Sequence, residues 1–311
     1  ALSRNEIHAL LAQLRTLRER GVACVFISHK LDEVFAIADR ITVLRDGSAQ
    51  GTLDVAGTDA DEIIRRMVGR RIEDHYPRRQ STPGRTLLAL RGVGVDPPSA
   101  GGITLQGIDL DARAGEVLGI GGLMGAGRTE LLLHLMGLWG RRRTGTVELD
   151  GQPFTAADPR AALARGLAIV TEDRKRYGLV LPQGVTFNVS LSSLQSLRRG
   201  VFIDRDAEVA RTKSIVEELR IKAQTLEQPV GTLSGGNQQK VVLGKMLLTQ
   251  PKVLLLDEPT RGIDVGAKLE VYELINRLTA AGQAIVLVSS ELGELMGMSD
   301  RIVMLCEGRI G

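Results

Sequence analysis

Aromatic residues are scarce in this chain: one Trp, three Tyr and five Phe make up 3% of its 311 residues. With so few flat side chains and a net charge of only +3, it lacks the stacking platforms of a nucleic-acid binder, and no nucleic-acid partner is expected. There are two cysteines, Cys24 and Cys306. Both fall in strand-like runs, so they are expected as small buried hydrophobes in a reduced compartment rather than as a disulfide or metal ligands. No apolar run approaches the length of a membrane span, no signal peptide is visible and no segment is of low complexity. What remains is an ordinary apolar fraction in a chain longer than one hydrophobic core usually serves, which suggests more than one α/β domain.

Two short stretches carry most of the chemistry. In Leu233-Ser-Gly-Gly-Asn-Gln-Gln-Lys240, Ser234 precedes a helix-forming apolar run, so its hydroxyl and the N–H groups of Gly235 and Gly236 fall at a helix N-terminus. Such an end is an anion site. In Val253-Leu-Leu-Leu-Asp-Glu-Pro-Thr260, four apolar residues make a buried strand that presents Asp257 and Glu258 at its end. One carboxylate suits a Mg²⁺ shell and the next suits polarising a water. The bland alternative is an acid-tipped core strand beside a Ser-capped helix.

A third stretch, Gly122-Leu-Met-Gly-Ala-Gly-Arg-Thr129, follows the apolar residues 117–120 and precedes Leu131-Leu-Leu-His-Leu-Met136. Strand, glycine loop and helix form the context of a P-loop, in which backbone N–H groups close around phosphates and glycines avoid Cβ clashes. The spacing matches G-x-x-x-x-G-K-[ST], with Arg128 where lysine is usual. A guanidinium still binds phosphate, but it is larger and planar and does not replace an ammonium. Thr129 keeps the hydroxyl that would ligate Mg²⁺, and Glu130 follows it. A plain glycine turn before a core helix is the competing reading.

The chain also repeats itself. At an offset of 261 positions, Ser28-His-Lys-Leu-Asp-Glu33 lies beside Ser289-Ser-Glu-Leu-Gly-Glu294, and the apolar residues 21–27 lie beside 282–288. Residues 1–69 therefore read as the C-terminal part of a first domain, without its glycine loop, signature and acid-tipped strand. Residues 70–85, basic and punctuated by Pro and Gly, read as a solvated linker. Residues 86–311 read as a second domain that opens with a small antiparallel layer. On this reading the chain is a fragment of a longer two-domain protein.

The Ser-Gly-Gly helix start followed by the Asp-Glu strand end resembles the signature and Walker B motifs of ABC-type ATPases. The resemblance covers essentially the whole chain. The motifs Gly122-Leu-Met-Gly-Ala-Gly-Arg-Thr129, Thr171-Glu-Asp-Arg-Lys175 and Ser289-Ser-Glu291 narrow it to the tandem ATPase subunits of bacterial importers for simple sugars, the ribose, xylose, arabinose and galactose group. The implied fold is α/β: a mixed, mostly parallel sheet core, a small antiparallel β layer and a helical signature subdomain, preceded by the end of a second such domain. The implied cofactors are ATP and Mg²⁺. Site residues carried over are Glu258 and His29 for catalysis; Gly122, Gly125, Gly127, Arg128, Thr129, Glu130, Ser234, Gly235, Gly236 and Gln238 for nucleotide; Thr129 and Asp257 for metal; and Glu172, Asp264 and Ser290 for coupling or switching.

The second domain departs from the pattern in several places. Besides Arg128, it has no aromatic residue between Tyr76 and Trp139 to stack adenine, Glu172 where a glutamine is usual, and Ser290 where the first domain has the switch histidine His29. Its signature is intact. The resemblance implies a peripheral subunit on the cytoplasmic face of the bacterial membrane. Its partners would be permease subunits, an extracytoplasmic sugar-binding protein indirectly, and the missing N-terminal ATPase domain. A DNA-repair ABC ATPase would need a long insertion between glycine loop and signature, and a translation-associated tandem protein would keep lysine in both loops. A nucleotide-sensing, permease-docking module remains the non-enzymatic alternative.

Overall fold

The computed structural model describes residues 4–28, 30–45, 47–68, 76–77 and 80–311. Two compact units divide the chain, one over residues 1–75 and one holding nearly all of residues 76–311.

The first unit runs α1 (Arg4–Glu19), α2 (Leu31–Ile37), β1 (Arg40–Arg45), β2 (Ser48–Asp54) and α3 (Ala60–Val68), with β1 and β2 paired antiparallel. Val34, Ile41, Val43 and Ile63 form its small core. Asp59 opens α3 by accepting from the N–H of Glu62 at 2.8 Å, and Arg65 and Arg66 both pair with Glu62. The apolar run 21–27, strand-like in sequence, forms no strand; Val25 is 94% and Ile27 91% exposed.

The second unit runs β3 (Thr86–Asp96), β4 (Leu105–Arg113), β5 (Val117–Gly121), α4 (Arg128–Leu135), β6 (Arg141–Leu149), β7 (Gln152–Pro153), α5 (Pro159–Ala164) and β8 (Leu167–Val170). A π turn (Arg174–Gly178), α6 (Val185–Ser190), the hairpin β9 (Arg198–Arg199) and β10 (Phe202–Ile203), α7 (Arg205–Glu218) and α8 (Gly235–Leu247) follow. It closes with β11 (Val253–Asp257), α9 (Val265–Ala280), β12 (Ala284–Val288), α10 (Leu292–Met298), β13 (Arg301–Cys306) and β14 (Arg309–Ile310). The main sheet has the order β14-β13-β5-β12-β11-β8, parallel except for β14, and the other large sheet, β4-β3-β6-β7, is antiparallel. Every residue of β5, β11 and β12 is buried, as expected of parallel strands covered on both faces.

The 261-residue offset carries α9, α10 and β13 onto α1, α2 and β1 with identical bounds. It carries β12 onto residues 23–27, and here the repeat breaks. β12 is paired on both sides, by β11 and β5. Among the described residues the first unit has no counterpart of either, so the same apolar pattern has no ladder to join.

Two expectations need correcting. Cys24 and Cys306 are both exposed. Cys24 lies in the unpaired run, and Cys306 follows the buried Leu305 on β13, so alternation turns it outward. The expected linker is not simply solvated where it is described. Tyr76 stacks near Tyr272 at 5.6 Å and closes over Gly297 of α10, where a β-carbon would overlap its ring. Asn276 donates to the Pro77 carbonyl at 2.8 Å, and Ser81 to that of Gly115 at 3.3 Å. Residues 70–75, 78 and 79 lie outside the described residues.

Helix α8 is held close to α7 by Gly244, where a β-carbon would fall 2.5 Å from Cγ2 of Ile215. In an open helix Gly→Ala gains about 1 kcal/mol. Gly244→Ala will instead destabilise the second unit by about 1–3 kcal/mol through overpacking. Urea unfolding followed by fluorescence of Trp139, the only tryptophan, measures it. Combination with Ile215→Ala will cost less than the two single changes added together.

Candidate active site

The strand order decides which loops meet. β12 lies between β5 and β11, so the loops leaving the carboxyl ends of these three strands are neighbours. The first is the glycine loop. Gly122, Gly125 and Gly127 all have positive φ, at 152°, 79° and 102°. At Gly122 a β-carbon would collide with the Leu305 carbonyl, whereas at Gly125 the space is open. Gly127 caps α4, whose first turn holds Arg128, Thr129 and Glu130.

Thr129 donates its hydroxyl to Oδ2 of Asp257 at 2.8 Å. Asp257, 1% exposed, has no partner on Oδ1. Burial is the main cause that pushes its carboxyl up to about 6, against the Thr129 hydrogen bond. A buried carboxylate with one free oxygen beside a threonine hydroxyl is a donor set that fits a hard divalent cation such as Mg²⁺.

Glu258 sits at φ 49°, a conformation rare for a side-chain-bearing residue. Its N–H is tied to the Val288 carbonyl at 2.9 Å, and its Oε2 accepts from the Ser290 hydroxyl at 3.1 Å. Burial raises its pKa, while the bonds from Ser290 and the charge of Arg128 oppose the rise. The Arg128 guanidinium does not lie open toward a phosphate. It donates to the Ser289 carbonyl at 2.9 Å and stands 3.7 Å from Oε1 of Glu258, both side chains being about nine-tenths buried. Arg128, Thr129, Asp257, Glu258 and Ser290 thus form one cluster.

A second cluster surrounds the start of α8. Ser234 is its N-cap and accepts from the N–H of Asn237 at 3.4 Å. Gly235 and Gly236 open the helix, as expected. Gln238, expected beside the nucleotide, is turned inward: it is 4% exposed and donates to the Val230 carbonyl at 3.1 Å. It begins the run 238–246, over which every residue of α8 is buried. Asn237 takes the outward place, donating to Ser234 Oγ at 2.9 Å and accepting from the N–H of Lys222 at 2.8 Å. The signal that would have found it is its position three residues after a Ser cap, where a capping-box partner stands.

Glu172, expected in a coupling role, pairs with Arg261 in the loop after the acid pair. Asp264 is exposed just before α9. His29 lies outside the described residues.

A glycine loop and an acid pair at the ends of the two parallel strands that flank β12, with a capped glycine helix start in the same unit, define a P-loop nucleotide-binding protein. Residues 105–261 match the family model described as ABC transporter, and the chain belongs to that family. Over its whole length it is 48% identical to the xylose import ATP-binding protein XylG of Moorella thermoacetica and to the ribose import ATP-binding protein RbsA 1 of Rubrobacter xylanophilus. It spans 62% and 61% of those proteins' lengths. Its fold is that of solved ATP-binding cassettes. A nucleotide-free cassette from an ABC transporter, 21% identical, aligns with TM-score 0.62 over 73% of this chain and 90% of its own. A dimeric cassette bound to ADP and Pi in a post-hydrolysis state, 22% identical, aligns with TM-score 0.61 over 72% and 96%.

The raised carboxyl of Asp257 has a measurable consequence. Its pKa is about 6 folded against an ordinary 3.8, so its favourable contribution is complete below the lower value and is lost as pH rises through the upper. At neutral pH the buried carboxylate therefore costs about 3 kcal/mol. Asp257→Asn will be more stable than the wild type at about pH 7.5 by up to that amount, and the advantage will shrink to nothing toward about pH 4. Urea midpoints of both proteins across this range test it; a variant less stable at every pH would contradict the assignment.

Proposed function

We propose that this chain is part of an ATP-binding and ATP-hydrolysing subunit that powers import of a monosaccharide through a membrane permease. The observation that carries the reading is the bond from half-buried Thr129 to buried Asp257, with one carboxylate oxygen left without a partner, set at the mouth of a three-glycine loop. The names of the xylose and ribose import relatives supply the substrate class. On this reading residues 1–69 are the C-terminal part of a first nucleotide-binding domain, 70–85 the linker and 86–311 the second domain. The subunit is peripheral, on the cytoplasmic face of the membrane. It docks on permease subunits, serves an extracytoplasmic sugar-binding protein indirectly, and is completed by an N-terminal ATPase domain.

The division of labour follows from the side chains. The N–H groups of residues 122–129 would cradle the ATP phosphates. Thr129 and Asp257 would hold Mg²⁺, which supplies positive charge against the phosphate oxygens. Glu258, oriented by Ser290 and Arg128, would polarise water, and Ser234 with the N–H groups of Gly235 and Gly236 would face a phosphate of the site completed by the first domain. His29 would belong to that same site. The pairing of Arg128 with Glu258 favours a second reading for the glycine loop of this chain, a nucleotide-sensing site with weak turnover, because a guanidinium already shared between a carbonyl and a carboxylate is less available to phosphate.

In the complete two-domain protein, Ser234→Arg will lower steady-state ATPase by about 10²-fold or more, the usual loss when preorganised donors are removed. Arg128→Ala and Glu258→Gln will cost much less. Comparable losses from Ser234→Arg and Glu258→Gln would mean that both sites turn over. The present chain alone will show little ATPase; Mg²⁺-dependent turnover abolished by Glu258→Gln would count against the proposal.

A further inference from the structure

The turn after β8 makes contacts that neither cluster accounts for. Asp173 caps it, accepting from the N–H groups of Lys175 and Arg176 at 3.1 Å each. The Arg174–Gly178 segment is wound as a π turn, a conformation found mostly at functional sites. The half-buried Arg174 guanidinium donates to two main-chain carbonyls of the loop after the acid pair, Arg261 O at 3.1 Å and Gly262 O at 3.4 Å. The Glu172–Arg261 ion pair ties the same two segments. That guanidinium also fills the space over the first residue of α8: a β-carbon on Gly235 would fall 2.8 Å from Arg174 Nη2 and 3.2 Å from the Gly262 carbonyl. At the other end of the turn, a β-carbon on Gly178 would lie 2.9 Å from Val242, and the Gly178 carbonyl accepts from the buried Lys245 ammonium of α8.

We infer that Arg174 is a positioning residue: by bridging the carbonyls of Arg261 and Gly262 it fixes that loop against the first turn of α8, and the turn 174–178 then grips α8 at both its start and its middle. Two carbonyl oxygens converge on one point, and the planar fork of arginine satisfies both at once. A lysine ammonium, a point charge on a flexible stem, does not fit that geometry. The consequence is that a push on residues 172–178 reaches the Ser234–Gly236 helix start directly, without passing through the glycine loop. This functional consequence rests on the proposed role of that helix start; the contact itself does not.

Hydrogen exchange on the present chain tests the contact. Arg174→Ala and Arg174→Met, the second keeping the aliphatic stem, will raise exchange at the hydrogen-bonded amides of Asn237, Gln238 and Arg261 by about ten-fold or more, as expected for losing hydrogen bonds from a charged donor. Exchange in β11 and β12 will be unchanged, Lys175→Ala will have no effect, and Arg174→Lys will not restore protection. Millimolar guanidinium will restore it in Arg174→Ala where equal sodium chloride does not. Unchanged protection in the methionine variant, or full protection in Arg174→Lys, would overturn the inference. In the complete two-domain protein, Arg174→Met will lower kcat for ATP by about ten-fold while KM stays within about two-fold, the pattern of a group that acts on turnover and not on binding. Altered exchange with unaltered kcat would overturn the role in turnover. Absence of turnover in the wild-type protein would count against the importer reading, and exchange would still decide the contact.

Discussion

A central strand of a parallel sheet exists only while both neighbours are present to take its N–H and C=O groups. β12 meets that condition, with β11 on one side and β5 on the other. The site depends on it: β12 holds the other two strands at the spacing that lets α4 side chains cross it. Arg128, after β5, reaches over the Ser289 carbonyl at the end of β12 to Glu258 at the end of β11, and Thr129 reaches Asp257. One strand further on, the loop leaving β8 meets the loop leaving β11 through Glu172, Arg174 and Arg261. The same constraint explains the first unit, where residues 23–27 carry the apolar pattern of β12 and form no strand.

The parts of the site legible in the sequence are those whose geometry is local. A glycine loop between a strand and a helix, an acid pair closing an apolar strand and a serine before a helix each announce themselves within about eight residues, and each lies where the sequence puts it. Gln238 differs from the expectation because α8 is buried all round from that residue on, by packing from several elements distant in sequence, and no residue of the motif records that. The described part of the linker was misjudged for a similar reason. Tyr76 is read as a lone aromatic in a basic stretch until α10 brings Gly293 and Gly297 beneath it. Arg174 stands in the sequence only as one residue of the motif at 171–175, since its acceptors are main-chain carbonyls 87 and 88 residues away. A carbonyl has no residue type, so such a bond leaves no trace in a sequence.

The electrostatics of the site turn on an unequal supply of positive charge. Two adjacent carboxylates, Asp257 and Glu258, are buried at one strand end, and burial raises the pKa of each. Arg128 serves Glu258 at 3.7 Å, and its field also reaches Asp257, but among the described residues no cationic side chain bonds the Asp257 carboxylate, and its Oδ1 has no partner there. A chain selected for stability alone would replace that aspartate with an amide or an apolar residue, because an ionised carboxylate without a cation is costly in such a place. Placed beside a threonine hydroxyl and after the same sheet edge as the glycine loop, that aspartate is what the proposed nucleotide site asks for: a carboxylate to pair with a cation carried in with the phosphates. Substituting arginine for lysine in the glycine loop then has a structural meaning. The longer, forked cation satisfies the second carboxylate and the Ser289 carbonyl together, so on the proposed reading the demand for positive charge is concentrated on Asp257, whose Oδ1 is the oxygen left without a partner.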